Sequence, residues 1–175
     1  TRMAWKSPDM NGFNIEVGIF DPQEGSGGNA NNFETDTPQF QAELNYNTSF
    51  DGGDVGIWAG GIVQEMSGRG NTGTGARVVT TGEVNTSGIN VGLKVAAGGF
   101  GLVGSWYDGE ALGSVRQVDT NSYTCNATAC TEADADGYYV QGTYTFNGKT
   151  KVGLSYGEST QDATAALAAS VTTAA

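Results

Sequence analysis

The sequence predicts an all-β protein, an antiparallel barrel that crosses a membrane with its strands. Three observations carry this prediction: apolar and polar residues alternate in segment after segment, tight turns alternate with long polar connections, and aromatic residues recur near the strand ends. No apolar run approaches the roughly 20 residues that a membrane helix requires. Any crossing of a membrane must therefore be made by strands.

Alternation with a period of two residues marks the strands. The segment Ile89–Val95, for example, reads INVGLKV and is apolar at every second position. The polar partners are small or hydrogen-bonding residues, as a water-facing side of a strand requires. Eight strands are predicted, at 2–7, 13–20, 39–50, 55–66, 88–97, 100–107, 137–147 and 150–157.

Two kinds of connection alternate between these strands. Tight turns are predicted at 8–12, 51–54, 98–99 and 147–148, where Gly-Gly and Asn-Gly suit the positive φ of short hairpins. Long polar connections are predicted at 21–38, 67–87 and 108–136, and the stretch 77–84 could extend a strand beyond the membrane. Short periplasmic turns and long extracellular loops are typical of outer-membrane barrels.

Aromatic residues near the strand ends predict two girdles at the membrane interfaces. Four of them flank the tight turns and two stand near the opposite ends of their strands: Phe13, Phe50, Phe100 and Phe146, and then Trp106 and Tyr138. By alternation all six share the apolar face. The girdles are about 6–10 residues apart, which matches an apolar band of about 25 Å. The alternative is that these residues form the core of a soluble β-sandwich.

Composition excludes several classes of function. The net charge of −11, with 8 basic and 19 acidic residues, argues against nucleic acid as a partner. Histidine is absent, which removes the Ser-His-Asp and Cys-His nucleophile systems. The acidic run 132–136 has Thr143 where an EF-hand needs a carboxylate, which leaves at most a weaker calcium site in a loop. We therefore predict no enzyme activity, no cofactor and no metal centre.

Charged residues on the polar face are predicted to line a pore. Alternation turns four basic residues and two acidic ones toward that face: Arg2, Lys6, Lys94 and Lys151, with Glu16 and Glu43. This face is thus net positive although the whole chain is acidic. Arg2 and Lys6 lie two pleats apart on one strand. The alternative is that they only hydrate the wall or pair with Glu16 across the first hairpin.

Two cysteines, Cys125 and Cys130, lie close together in the predicted loop 108–136. They are predicted to form a disulfide in an oxidising compartment. A reduced, unpaired state is the alternative.

Three segments resemble the general porins of Gram-negative bacteria. Arg2–Phe13, RMAWKSPDMNGF, resembles the porin hairpin that runs strand, Ser-Pro, turn, Gly-Phe and strand. Tyr144–Gly157, YTFNGKTKVGLSYG, is similar to a later porin hairpin, as is Gly98–Leu102 together with Trp106–Gly109. The three segments occur in the order that the family has.

The resemblance implies a trimeric, water-filled outer-membrane barrel of about 16 strands, of which about eight are present in this chain. Small hydrophilic solutes and ions would diffuse passively through it. Its partners would be the lipid bilayer, the lipopolysaccharide of the outer leaflet and further copies of the chain. In such porins a basic row on the wall faces acidic groups on an inward-folded third loop, and Arg2 and Lys6 are the candidates for that row. We expect residues 1–175 to form one incomplete barrel domain, without the early strands, the constriction loop and the closing strand.

Three other interpretations stay open. An eight-stranded barrel complete in itself has a similar length, although the glycines of the polar face, Gly18, Gly92, Gly101 and Gly153, suit a wide lumen better than a filled one. The long acidic loops could instead serve as an adhesion or receptor surface. A soluble carbohydrate-binding sandwich is the third interpretation.

Overall fold

The computed structural model describes residues 2–21, 37–67, 70–72, 76–78, 82–112, 122–125, 129–162 and 171–174. These residues form strands joined by turns, and no helix able to span a membrane occurs among them. The strands are β1 (Arg2–Lys6), β2 (Phe13–Phe20), β3 (Gln39–Phe50), β4 (Gly53–Ser67), β5 (Gly70–Thr72), β6 (Ala76–Val78), β7 (Glu83–Ala97), β8 (Phe100–Glu110), β9 (Tyr123–Cys125), β10 (Cys130–Glu132), β11 (Asp134–Phe146), β12 (Thr150–Gln161) and β13 (Val171–Ala174).

One large antiparallel sheet dominates the fold. Its nine strands follow the order β1-β2-β3-β4-β7-β8-β11-β12-β13, so that each strand pairs with the next main strand along the chain. The pairs β5–β6 and β9–β10 are separate two-stranded hairpins inserted into long connections. The predicted all-β, antiparallel meander is confirmed, and each of the eight predicted strands corresponds to one strand of the sheet. As far as the described residues extend, the sheet is open, with β1 and β13 at its edges.

The last strand and the small hairpins were not predicted. β13 pairs with the outer half of β12 through the segment 171–174, which reads VTTA and shows no alternation. Within the stretch 77–84, Arg77 and Val78 belong to β6 while Glu83 and Val84 begin β7, and 79–81 lie outside the described residues. Backbone pairing rather than side-chain pattern defines these short strands.

All four predicted tight turns contain residues with positive φ. Asn11 and Gly12, Gly52, Gly98 and Gly99, and Asn147 and Gly148 adopt this conformation. It is the geometry that two-residue hairpins need, and glycine and asparagine tolerate it best. At Gly12, with φ of 93°, a Cβ would also overlap the carbonyl oxygen of Asn47 on the neighbouring strand. A side chain there would be doubly unfavourable.

Several strands extend further toward the long connections than predicted. β7 begins at Glu83 instead of 88, β8 ends at Glu110 instead of 107, and β11 begins at Asp134 instead of 137. In these extensions, carboxylates stand on the side that is apolar elsewhere: Asp108 lies opposite Asp136, and Glu110 opposite Asp134. Carboxylates do not face hydrocarbon, so the apolar band ends just below them while the backbone ladder continues.

Buried apolar side chains are concentrated at one place. Met66, Val84, Ala111 and Tyr123 form a small cluster at the long-connection end, with Cys130 of β10 packed against it. Most large apolar side chains of the sheet are instead exposed, as shown by exposed fractions of 87% for Leu154 and 66% for Phe100. A soluble sandwich would bury such a face under a second sheet. The described residues place no second layer over it.

Candidate functional site

The register of the main sheet sorts its side chains onto two faces. Directly opposite residues in antiparallel strands lie on the same face, and the faces alternate along each strand. The apolar face carries Ile15, Leu44, Ile57, Leu93 and Val140, and the polar face carries Glu16, Glu43, Asn90, Lys94 and Gln141. The polar face runs from β1 to β12 and is the candidate functional site.

Three of the predicted charged residues lie side by side on the polar face. Lys6 is opposite Glu16, and Glu16 is opposite Glu43. Lys6 Nζ lies 3.9 Å from Glu16 Oε2, and Asn45 Nδ2 donates a hydrogen bond of 2.7 Å to Glu43 Oε1. Because the paired side chains are 60% and 47% exposed, water screens their attraction. The ion pair therefore contributes about 0–1 kcal/mol.

Arg2 lies on the same face of β1 as Lys6. It is opposite Phe20 and is exposed. Arg2 and Lys6 are four positions apart along the extended strand, which is a distance of about 13 Å. The structure thus places both residues of the candidate basic row on one strand, with Lys6 next to a carboxylate and Arg2 next to an aromatic ring.

Lys94 and Lys151 lie near the tight-turn end of the polar face. Together with Gln141 they line a cavity of about 780 Å³. Asp54 lines it too and accepts a hydrogen bond of 2.7 Å from Ser49 Oγ. The sequence placed Asp54 in a turn, but β4 begins at Gly53, and Asp54 is a third carboxylate on this face. With four basic residues against three carboxylates, the predicted set with Asp54 added stays net positive.

The Lys94 side chain extends across the neighbouring strand β4. Gly56 is opposite Lys94, and carbons of the lysine side chain occupy the space that a Cβ at Gly56 would fill. Asn47 Oδ1 borders the same space from β3. Glycine in a strand allows such a close approach. The glycine therefore determines where the Lys94 side chain lies on this face.

Four aromatic residues of the polar face were not among the predicted site residues: Phe20, which is opposite Arg2, and Trp58, Tyr107 and Tyr139. Trp58 is opposite Asn45 and Gly92, Tyr107 is opposite Asn90, and Tyr139 is opposite Ser105. The alternation of Trp58 with Ile57 and Ala59 already signals its face. Trp58 was nevertheless not predicted as a site residue, because aromatic residues were assigned by their closeness to strand ends.

The predicted girdle residues lie on the apolar face with exposed side chains: Phe13, Phe50, Phe100, Phe146, Trp106 and Tyr138. At the tight-turn end, Phe13 packs on Tyr46 with ring centroids 4.2 Å apart, and Phe100 packs on Tyr144 at 4.4 Å. At the other end, Trp106 is opposite Tyr138. Contact of these rings with the membrane interfaces stays a prediction.

The two cysteines lie opposite each other in the β9–β10 hairpin. Cys130 is disulfide-bonded. A bond to Cys125 stays a prediction, and it would close a ring of only six residues at the end of this hairpin. Intact mass of protein purified from membranes without reductant checks it: we expect a mass lower than that of the dithiol by two hydrogen atoms, and two free thiols would contradict the prediction.

No group of histidine, cysteine, aspartate and glutamate side chains that could hold a metal ion occurs in the described ranges. Comparison with known proteins gave one family: the model of the Gram-negative porins matches residues 2–175. Neither the curated proteins nor the solved structures gave a match. The family match spans nearly the whole chain, including every strand described above. The chain therefore belongs to the Gram-negative porin family.

Proposed function

We propose that this chain forms part of the wall of a water-filled outer-membrane channel through which small polar solutes and ions diffuse passively. The observation that carries the proposal is the opposite character of the two faces of one sheet. The apolar face exposes large apolar side chains, which are stable against lipid. The polar face carries amides and charged groups, which need water, and glycines, which leave room for it. The function requires no chemistry at the wall, so we propose no enzyme activity.

Closure of the barrel requires further strands. Among the described strands, β1 and β13 each have an unpaired edge, which hydrocarbon does not tolerate. We propose that strands outside this chain close the sheet into a barrel of about 16 strands with the polar face inside. The barrel would assemble as a homotrimer, with lipopolysaccharide around its outer rim.

Single-channel conductance of the full-length protein in planar bilayers tests the proposal. Discrete current steps that scale with salt concentration are expected of a water-filled pore. Membrane-inserted protein that gives no current steps would refute it and would favour the adhesion or receptor interpretation of the long loops.

Replacing Arg2 and Lys6 together by glutamine should shift ion selectivity. The change removes two positive charges from the proposed wall, so we expect the reversal potential in a salt gradient to move toward greater cation preference. Charges in a narrow aqueous gap are poorly screened, which makes the reversal potential sensitive to them. The matched control is Lys149→Gln, in the tight turn between β11 and β12 and outside the polar face. An unchanged reversal potential in the double variant would place Arg2 and Lys6 away from the narrowest part of the pore.

A further inference from the structure

Three of the four aromatic rings of the polar face share one arrangement. The Trp58 ring occupies the space that a Cβ at Gly92 would fill, and the Tyr107 ring does the same at Gly137. Tyr139 likewise lies against Gly157. In each case the ring reaches from its own strand over a glycine of the next main strand. The rings therefore lie along the polar face, where they add aromatic surface without closing the space in front of it.

Trp58 has the most complete surroundings of the three. On its own strand the neighbouring positions of the same face are Gly56 and Gly60, which carry no side chains. The amide of Asn90 reaches over Gly60, and the Lys94 chain reaches over Gly56. The indole is therefore framed on both sides along the strand direction.

Neutral hydrogen-bonding groups surround the indole across the strands. Asn45 is its direct neighbour on β3, and Ser105 lies one strand beyond Gly92. Trp58 is only half-buried, so part of its ring faces the space in front of the sheet. The residues present an aromatic surface beside two amides. The Asn90 amide offers two N–H donors and an acceptor, and Asn45, which donates one N–H to Glu43 Oε1, keeps its second N–H and its oxygen.

This combination fits the ring of an uncharged saccharide. A sugar ring has a face of C–H groups and a rim of hydroxyls, each of which both donates and accepts a hydrogen bond. Ligand sites pair apolar or aromatic surface with a few well-placed polar groups in this way. We propose that Trp58, with Asn45 and Asn90, forms a saccharide subsite on the channel wall. This inference rests on the proposed channel function and adds a class of solute to it.

Tyr139 and Tyr107 extend the subsite around the wall. Tyr139 is in the same cross-strand row as Trp58, three strands away, or about 14 Å. Tyr107 lies two positions from Ser105 of that row along β8; its ring crosses β11 at Gly137, and its hydroxyl is hydrogen-bonded to Ser159 Oγ on β12. A second sugar unit of an oligosaccharide would meet these rings. The lysines nearer the tight turns, Lys94 and Lys151, line a separate cavity that does not include the indole.

Maltose and sorbitol distinguish ring recognition from general polarity. Sorbitol is an open-chain polyol with hydroxyls but no ring face. Saturation-transfer NMR on the full-length protein in detergent should show binding of maltose and not of sorbitol. In planar bilayers, maltose should reduce the open-channel current at concentrations where sorbitol does not. Binding without conductance would overturn the channel and leave the subsite standing, whereas conductance without preferential maltose binding would overturn the subsite alone.

Two variants test the role of the Trp58 ring itself. Trp58→Ala should raise the maltose concentration that half-saturates binding by about tenfold, which corresponds to about 1.4 kcal/mol of lost ring contact. Gly92→Ala keeps the indole but forces it off the strand, and we expect a similar loss. Trp106→Ala, on the apolar face, is the matched control and should bind maltose as the native protein does. Equal maltose binding by the native protein and by both polar-face variants would overturn the proposal.

Discussion

Arginine in place of Leu93 should destabilise the membrane-embedded protein by about 2–4 kcal/mol, the cost of a cationic side chain that faces lipid at the bilayer midplane. Leu93 is 42% exposed on the apolar face, with Ile57 and Gly104 as its direct neighbours. On β7 it lies between the rows of the two predicted girdles, which meet this strand at Ala97, opposite Phe100, and at Val91, opposite Trp106. No polar group of the apolar face is close enough to receive the guanidinium, because its neighbours on both sides are apolar. The measurement is the free energy of unfolding in urea of the full-length protein folded into lipid vesicles.

Two control variants distinguish the effect of the face that a residue occupies from the effect of its depth in the membrane. Asn90→Arg is on the same strand but on the polar face, where the native amide lies over Gly60, and should cost far less. Ala97→Arg is on the apolar face but next to the turn at Gly98, and should cost about 0–1 kcal/mol, as expected near an interface. Equal losses of stability at Leu93 and Asn90 would refute the assignment of the two faces.

The alternation of apolar and polar residues predicted the sheet well where the sheet lies between lipid and water. β2 and β3 have the predicted bounds, and the tight turns fall where glycine and asparagine allow positive φ. The prediction failed at the strand ends beyond the apolar band. There Asp108 and Asp136 occupy positions of the apolar face, so the hydrophobic period stops although the hydrogen-bonded ladder does not. The period reports the environment of the strand rather than its length.

The candidate site was only partly predictable for a different reason. The alternation within one strand gives the face of a side chain, and on that basis Lys6, Glu16 and Glu43 were expected on one face. In the register they are direct cross-strand neighbours, and their place in a pore wall stays a prediction. The residues that face each other across two strands depend on how the strands are aligned, and the sequence of one strand alone does not give that alignment. The positions of Trp58 over Gly92 and of Lys94 over Gly56 are contacts of this kind. They became visible only when the strands were paired.

The β9–β10 hairpin is attached to the sheet by a small buried core. Met66 and Val84 are directly opposite each other on β4 and β7, both fully buried, and they stand on the same face as Trp58 and Asn90. Tyr123 and Cys130 of the hairpin pack on them. The backbone of Asn85 donates a hydrogen bond of 3.0 Å to Glu132 Oε1. The hairpin thus covers the polar face at its long-connection end.

Met66→Ala should loosen this hairpin while leaving the rest of the sheet intact. Removal of a fully buried methionine side chain costs about 2–5 kcal/mol. The hairpin is a two-stranded sheet separate from the main one, so we expect the loss to appear as local opening instead of global unfolding. Hydrogen exchange measures this at the Ala133 amide, which donates to the Ser122 carbonyl, and at the Ala111 amide, which donates to the Ala133 carbonyl. Their protection should fall by about 30-fold to several thousand-fold, as that range of free energy implies, while the amide of Val91 keeps its protection.

The matched control is Met3→Ala, the same substitution on the apolar face of β1. Met3 is 76% exposed and packs against no buried cluster, so its truncation should leave the exchange of Ala111 and Ala133 unchanged. The comparison removes any general effect of losing a methionine from the membrane-embedded protein. If Met66→Ala lowered the protection of Val91 as much as that of Ala133, the hairpin and the sheet would open as one unit. The small core would then stabilise the whole sheet and would not serve only to attach the hairpin.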